Sequence, residues 1–210
     1  MLGMSQRSAR RTLARVFELV ARTFAQWADS TRPPGKVLVL GGARSGKSGH
    51  AERLISRYPE VTYLATGNPT SADDPEWAER IRLHRERRPA RWRTVETADP
   101  AAVLRESRTP VLLDCLATWL DRVLDDAGAW QETEGWQQRV EDRVTEFLDA
   151  WRAATVPIIA VSNEVGSGVV PATPSGRVFR DVLGSLNSRV AEHADRVLLV
   201  VAGRALDLGK

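Results

Sequence analysis

The sequence contains a single cysteine, Cys115, and lacks any apolar run near the roughly 18 residues that a membrane span requires. An integral membrane protein is therefore excluded. One cysteine cannot form an intrachain disulfide, so we expect a reducing, cytoplasmic environment. Of the 210 residues, 42% are hydrophobic and 27% are charged, which is close to a globular average and excludes wholesale disorder.

The main body of the chain also lacks an excess of positive charge. The formal net charge is +3, but residues 1–32 carry +4, which leaves −1 for residues 33–210. A groove for nucleic acid ordinarily shows as a basic excess. We therefore expect no nucleic-acid partner for the body of the chain.

Residues 1–34 are arginine-rich and amphipathic. Their apolar positions recur every three or four residues, as on a helix with one apolar stripe, and are Leu13, Phe17, Val20, Phe24 and Trp27. We interpret this segment as a helical extension that packs on its own domain or on a neighbouring subunit. A membrane-surface helix and a transit segment remain alternatives. Arg32-Pro33-Pro34-Gly35 is typical of a stiff linker, so the predicted domains are 1–34 and 35–210.

Beyond the linker, short apolar runs alternate with amphipathic segments. Continuous apolar runs of this kind predict strands buried on both faces, here at 37–40, 61–65, 111–113, 158–161 and 197–201. Helices are predicted at 47–57, 75–87, 116–126, 134–154 and 176–194. The alternation predicts one α/β domain with a mostly parallel sheet flanked by helices.

A phosphate-binding loop is the sharpest local signal. Residues 41–48 read GGARSGKS, which fits G-x4-G-K-[ST] between a predicted strand and a predicted helix. Glycines let successive backbone N–H groups turn toward phosphates, and the helix N-terminus adds partial positive charge. Lys47 is predicted to bridge the β- and γ-phosphates, and Ser48 to ligate Mg²⁺. The sequence therefore predicts a nucleoside triphosphate site.

Asp114 follows the apolar run 111–113 and resembles the acid that completes such sites at the carboxyl end of a strand. A helix N-cap is its alternative role. Small regulatory GTPases read guanine with an [NT]KxD segment after a late strand. The comparable residues, 162–166, read SNEVG and contain neither Lys nor Asp, which favours an enzyme over a switch GTPase.

His84 is the histidine that we single out, because Arg80, Arg87 and Arg88 lie three or four residues from it on the same predicted helix face. Clustered cations disfavour the imidazolium form and would hold a polyphosphate, which suits attack by the imidazole on phosphorus. From spacing alone, a solvated basic face is at least as good an interpretation. His50 and His193 are expected on the surface or in packing roles.

Several segments in order resemble one family, the bifunctional adenosylcobinamide kinase/adenosylcobinamide-phosphate guanylyltransferases of cobalamin biosynthesis. They are residues 41–48, 63–66, 80–92, 163–171, 179–181 and 186–187. The resemblance runs from about residue 36 to residue 208 and leaves 1–34 without a counterpart. It implies a RecA-like P-loop NTPase fold and a homo-oligomer, a trimer being our expectation.

The resemblance also implies two reactions: phosphorylation of adenosylcobinamide by ATP or GTP, then transfer of GMP from GTP through a covalent histidine to the cobinamide phosphate. His84 matches the guanylylated histidine. The implied cofactors are GTP or ATP and Mg²⁺, with Ser48 and Asp114 as metal ligands and a corrinoid as substrate. The predicted nucleotide contacts are Gly41, Gly42, Ala43, Arg44, Ser45, Gly46, Lys47, Ser48, Ala65, Thr66, Gly67, Arg87, Arg88, Pro89, Glu96 and Asp114.

Two other hypotheses stay open at this point. One is a simple small-molecule kinase in which His84 only positions phosphates and forms no adduct. The other is a RecA-like nucleotide-dependent binding protein whose basic tail binds nucleic acid or an anionic membrane. The charge of −1 on the body argues against the second.

Overall fold

A computed structural model describes residues 35–67, Glu79, Arg82, Glu86 and residues 88–209. The predicted 1–34 extension and most of the predicted 75–87 helix lie outside these residues. The strands are β1 (Lys36–Gly41), β2 (Thr62–Ala65), β3 (Arg93–Glu96), β4 (Val111–Asp114), β5 (Ile158–Asn163), β6 (Arg196–Val201) and β7 (Arg204–Asp207). The helices are α1 (Lys47–Ile55), α2 (Pro100–Glu106), α3 (Leu116–Asp126), α4 (Trp136–Ala153) and α5 (Pro174–Glu192), with a 3-10 turn at Ala129–Gln131.

The strands form one seven-stranded sheet in the order β3-β2-β4-β5-β1-β6-β7. Every neighbouring pair is parallel except β6 and β7, which form an antiparallel hairpin. In a parallel sheet the carboxyl ends of the strands meet at one edge. Strand β1 lies inside the sheet, where it pairs with β5 and β6. Its last residue therefore lies within that edge, with neighbouring strands on both sides.

Two apolar clusters cover the two faces of the sheet. Helices α2 to α5 pack on one face around Phe147, Trp151 and Trp119, whose rings contact one another. Helix α1 packs on the opposite face through Ala51 and Ile55. Helices on both faces make the central strands apolar throughout. The predicted α/β architecture, a mostly parallel sheet flanked by helices that carries a phosphate loop, is confirmed.

Three elements were not predicted, and for the two strands among them the sequence shows why. Strand β3 reads RTVE with mostly exposed side chains, and β7 is an exposed edge strand, so neither is a continuous apolar run. Helix α2 begins after Asp99, which caps it by accepting a hydrogen bond from the Ala102 N–H at 3.1 Å.

No helix among the described residues is both long and apolar enough to cross a membrane.

Candidate nucleotide-binding site

The segment 41–48 forms a tight loop between β1 and α1. Arg44 and Gly46 both have positive φ, 56° and 91°, and Gly46 is the N-cap residue of α1. The buried Lys47 turns its Nζ back across the loop and donates to the Gly42 carbonyl at 3.2 Å. The loop therefore presents an ammonium group and a helix N-terminus at one place, the arrangement that suits phosphates.

Two glycines in this loop are required by the geometry. A Cβ on Gly41 would lie 2.5 Å from Ser45 Oγ and 2.6 Å from the Val200 carbonyl oxygen, which is backbone and cannot rotate away. Gly46 occupies the left-handed region that other residues rarely adopt, and its Cβ position lies 3.3 Å from the Gly203 Cα. The glycine spacing of the motif thus follows from close backbone approach.

The turn between β6 and β7 supports the loop from outside. Ala202 and Gly203 both have positive φ, as in a two-residue hairpin turn. The Gly203 N–H donates to the Ser45 carbonyl at 2.8 Å. Sequence analysis did not single out this contact, which joins residues more than 150 positions apart.

Asp114 ends strand β4 and lies beside the phosphate loop. Its Oδ1 accepts from Ser48 Oγ at 3.3 Å, and its Oδ2 accepts from the Tyr63 hydroxyl at 2.5 Å. The alternative role of Asp114 as a helix cap is wrong, because Cys115 is the N-cap residue of α3. The structure thus brings Ser48 and Asp114 together as the motif predicts.

Tyr63 is a site residue that sequence analysis did not assign. Burial, followed by the negative charge of Asp114, raises the pKa of Tyr63, so its hydroxyl stays protonated and donates. On the ring face, the guanidinium carbon of Arg88 lies 3.4 Å from the ring centroid, a cation–π contact. Tyr63 therefore connects Arg88 to the acid beside the phosphate loop.

The ends of three neighbouring strands place further predicted residues in one row. Ala65 is in register with Glu96 on one side and with Asp114 on the other. Thr66 is buried, and its hydroxyl donates to the Cys115 carbonyl at 2.8 Å. The side chain of Thr66 thus braces the β4–α3 connection, and Gly67 follows it at the carboxyl edge of the sheet.

A cleft of about 540 Å³ lies at the β3 end of this row. Its lining includes Arg88, Pro89 and Glu96, three predicted nucleotide contacts that are brought together here, along with Trp92 and Thr94. Arg88 Nε and Trp92 Nε1 are buried and have no hydrogen-bond partner among the described residues. The Arg88 guanidinium and the exposed Glu96 carboxylate line one cleft, which suits a ligand that carries both acceptors and donors.

His84 and Arg87 lie outside the described residues, so their predicted contacts stay predictions. Of the nearby cations, Arg82 is paired with Glu79 at 2.6 Å and also with Glu86. Those ion pairs are exposed and neutralise the charge of Arg82, which is not one of the arginines on the predicted face of His84.

Ser48 and Asp114 supply a hydroxyl and a carboxylate oxygen, which are ligands that Mg²⁺ prefers. Among the described residues there is no cluster of three His, Cys, Asp or Glu side chains that could enclose a metal. Mg²⁺ usually binds through one or two protein ligands together with waters and substrate phosphates. The two side chains beside the phosphate loop therefore fit the predicted ion.

Two other potentially reactive side chains, Cys115 and His50, lie close in sequence to residues of the site. Burial, and then Asp114, raise the pKa of the Cys115 thiol, which keeps it protonated. His50 lies in α1, where its Nδ1 is 3.4 Å from an Arg53 nitrogen. Burial and the Arg53 charge lower its pKa. These contacts fit the packing role expected for His50.

Comparison with known proteins identifies close relatives over the same part of the chain. The model of the family described as cobinamide kinase/cobinamide phosphate guanyltransferase matches residues 37–208. The bifunctional adenosylcobalamin biosynthesis protein CobU of Salmonella typhimurium is 39% identical over 181 residues, covering 80% of this chain and 96% of that protein. The corresponding protein CobP of Pseudomonas aeruginosa is 41% identical over 180 residues, covering 81% and 95%.

Two solved structures match the chain at low identity and with low TM-scores. An ATPase from the type III secretion system of pathogenic bacteria is 13% identical, with a TM-score of 0.49 over 83% of this chain and 57% of that chain. The P4 protein of bacteriophage phi6 is 14% identical, with a TM-score of 0.37 over 84% and 60%. At these values the likenesses say nothing about function.

Proposed function

Since the chain belongs to the cobinamide kinase/cobinamide phosphate guanyltransferase family, it is a bifunctional enzyme of cobalamin biosynthesis, and we propose how its residues divide the two reactions. The same phosphate loop serves both. In one reaction the γ-phosphate of ATP or GTP passes to the hydroxyl of adenosylcobinamide. In the other, GMP passes from GTP to the cobinamide phosphate through His84.

The residues at the phosphate loop stabilise charge in both reactions. The Lys47 ammonium, which donates to the Gly42 carbonyl, would turn to a phosphate oxygen when a nucleotide enters. Backbone N–H groups at the start of α1 add donors at the same place. Ser48 and Asp114 would hold Mg²⁺, which when bound neutralises charge on the phosphates.

We assign the cleft beside β3 to the guanine base. Glu96 would accept from the N–H groups of guanine, and the Arg88 guanidinium would donate to its acceptor atoms. The cleft lies at the end of the row that starts with Asp114, so one GTP would extend from the phosphate loop across β2 to β3. The placement of Arg88, Pro89 and Glu96 in one cleft supports this assignment.

In the guanylyltransferase reaction, a His84 nitrogen attacks the α-phosphorus of GTP, a P–N bond forms, and pyrophosphate leaves. A phosphate oxygen of the cobinamide phosphate then attacks the same phosphorus, and the P–N bond breaks to give adenosylcobinamide-GDP. The covalent step splits one difficult displacement into two. The phosphoramidate is a high-energy linkage, so the bound GMP stays reactive toward the acceptor.

The observation that carries this proposal is the Ser48–Asp114–Tyr63 contact, because it joins the phosphate loop to the cleft that we assign to the base. The test is an intact-mass spectrum after incubation with GTP and Mg²⁺, for the wild type and for His84→Ala. We expect added GMP on the wild type only, released by mild acid. A protein that binds GTP but forms no adduct would contradict the covalent mechanism and favour the simple kinase.

We further propose the homo-oligomer, with a trimer as the expected state. Size-exclusion chromatography with light scattering measures the subunit number directly. A monomer of about 23.2 kDa would contradict it.

A further inference from the structure

A second cleft, of about 440 Å³, lies away from the phosphate loop, and its lining combines two tryptophans with polar residues that include Glu132 and Glu134. It is lined by the connection from α3 to α4 and by the first turn of α5, and includes Trp130, Trp136, Thr133, Gln137 and Val178. Trp130 and Trp136 are partly buried, pack against the apolar core and line this cleft, whereas Trp151 is fully buried.

The cleft lies on the reaction side of the sheet. The far ends of α4 and α5 are fixed at the opposite edge, where the Arg152 carbonyl and the Asp195 carboxylate accept from Lys36 at 2.6 and 2.7 Å. Both helices run back from that edge, and at 1.5 Å per residue each is about 27 Å long. Their first turns, which line the cleft, therefore reach the side at which the phosphate loop opens.

A well-anchored loop connects this cleft to the phosphate loop. It begins at Glu164, whose N–H donates to the Gly41 carbonyl at 3.1 Å, and it ends at the first turn of α5. Arg177 and Arg180 donate to carbonyls of the loop at Pro171, Ala172 and Gly166.

Two adjacent valines project from this loop into solvent. The exposed fractions are 95% for Val169 and 61% for Val170. Exposed apolar side chains on an anchored loop beside a reaction site are typical of a binding surface.

We propose that the corrinoid acceptor docks on this surface, which we call the tryptophan cleft and which consists of Trp130, Trp136 and Val178 together with Val169 and Val170. The proposal rests on the proposed function and adds the substrate's binding site to it. No residue of the nucleotide site belongs to this surface.

The chemistry of the surface fits a corrin ring. That ring is a broad apolar macrocycle whose rim carries amide side chains. Indole faces and valine methyls offer the apolar contact, and Thr133 and Gln137 offer donors and acceptors for amides. A cleft of this volume takes one edge of the macrocycle, and the exposed valines cover a part that remains outside it. The hydroxyl-bearing arm of the acceptor can then extend along the loop toward the phosphates.

The test compares cobinamide affinity in Trp130→Ala and Val170→Ser with that of the wild type. Equilibrium dialysis, read from the visible absorbance of the corrin, gives each dissociation constant. We expect a rise of about tenfold or more for Trp130→Ala, because aromatic anchors dominate such contacts. For Val170→Ser we expect a rise of about threefold to fivefold from lost apolar contact.

Val201→Ser is the matched control, because Val201 is also 61% exposed but lies on the β6–β7 hairpin. It should leave the dissociation constant unchanged. Each variant is also incubated with GTP to measure the GMP adduct, a readout that needs no corrinoid. We expect normal adduct formation in all three, which shows that the fold and the nucleotide site are intact.

The outcomes separate the docking site from the function. Unchanged cobinamide affinity in both variants, with a wild type that binds, would overturn the docking site and leave the proposed function standing. A wild type that does not bind cobinamide would contradict both. Should Trp130→Ala lose adduct formation through misfolding, the exposed Val170→Ser decides alone, and an effect equal to that of Val201→Ser would overturn the proposal.

Discussion

The nucleotide side and the tryptophan cleft of this protein are built in different ways. The phosphate loop is a run of eight consecutive residues. Most of the groups that it offers to a ligand are backbone groups, and contacts such as the Lys47–Gly42 hydrogen bond hold the loop in place. The tryptophan cleft collects side chains from two distant segments, 129–137 and 174–178, and adds the exposed valines.

This difference indicates which kind of ligand recognition amino-acid substitutions can alter without disturbing the fold. A phosphate group is the same in every nucleotide, so a fixed backbone cradle suits it. A large macrocycle is recognised by area and shape, which side chains on loops can adjust without disturbing the sheet. Substitutions on the two sides should therefore separate nucleotide chemistry from acceptor binding.

The largest separation is expected from Lys47→Ala. Loss of the ammonium group that we propose binds the phosphates should lower both GMP-adduct formation and kinase turnover by about 10²–10³-fold, as for removal of one preorganised donor. The dissociation constant of cobinamide should not change. Lys36→Ala, at the opposite edge of the sheet, is the control and should keep both activities. A parallel loss of cobinamide binding in Lys47→Ala would show that the two sides are not separable.

Tyr63→Phe tests the connection within the nucleotide side. The change removes only the hydroxyl that donates to Asp114, a hydrogen bond to a charged group worth up to about 3 kcal/mol. We expect the Mg²⁺ concentration needed for half-maximal GTP binding to rise by about 10-fold to 100-fold.

Tyr58→Phe is the control for this change, because the buried Tyr58 hydroxyl has no hydrogen-bond partner among the described residues. Binding of a fluorescent GTP analogue, titrated with Mg²⁺, gives the measurement. Equal Mg²⁺ requirements in the two variants would show that Tyr63 does not position Asp114.

Gly41→Ala should destabilise the fold itself. The added Cβ meets the Val200 backbone oxygen at 2.6 Å, so either β1 or β6 must shift, at a cost of about 2 kcal/mol. Gly42→Ala, whose Cβ meets nothing within 4 Å, is the comparison for the free energy of unfolding. Urea denaturation of both proteins measures the difference, and equal midpoints would contradict the predicted clash.

The smallest effect is expected where α4 and α5 are joined below the tryptophan cleft. Glu141 accepts two hydrogen bonds from Arg189, at 2.8 and 2.9 Å, and this contact lowers the pKa of Glu141 from its ordinary 4.5. Because the pair is substantially exposed, Glu141→Gln should cost less than about 1 kcal/mol of stability at neutral pH.

The sign of the pH dependence follows from the lowered pKa. The stabilisation is present above the ordinary value of 4.5 and is lost as the pH falls through the lower pKa of the folded state. The difference between wild type and Glu141→Gln should therefore vanish in acid. Glu192→Gln, one turn further along α5, is the control. A difference that persists at low pH would point to packing rather than charge.

Local patterns predicted those parts of the molecule that depend on neighbouring residues. The phosphate loop, the acid at Asp114 and the bounds of α3 all follow from contiguous sequence. Helix α2 could have been found in the same way, because Asp99-Pro100 places a capping Asp before a Pro at the first helical position.

Contacts that depend on the order of strands in the sheet could not be predicted from neighbouring residues in the sequence. Tyr63 meets Asp114 because β2 and β4 are neighbours, although β3 lies between them in sequence. The arrangement of Arg88 over the Tyr63 ring depends on the same order.

The contact between Gly203 and Ser45 has a consequence for how the protein is made. Strand β1 and the phosphate loop are among the first described parts to leave the ribosome, yet β5 and β6, which flank β1, are made more than 100 residues later. Until residue 203 emerges, the nascent chain holds a nucleotide motif without the strands and the turn that support it. Nucleotide binding should therefore appear late in synthesis, and its appearance should indicate that β5, β6 and the β6–β7 turn have paired with β1 and the phosphate loop.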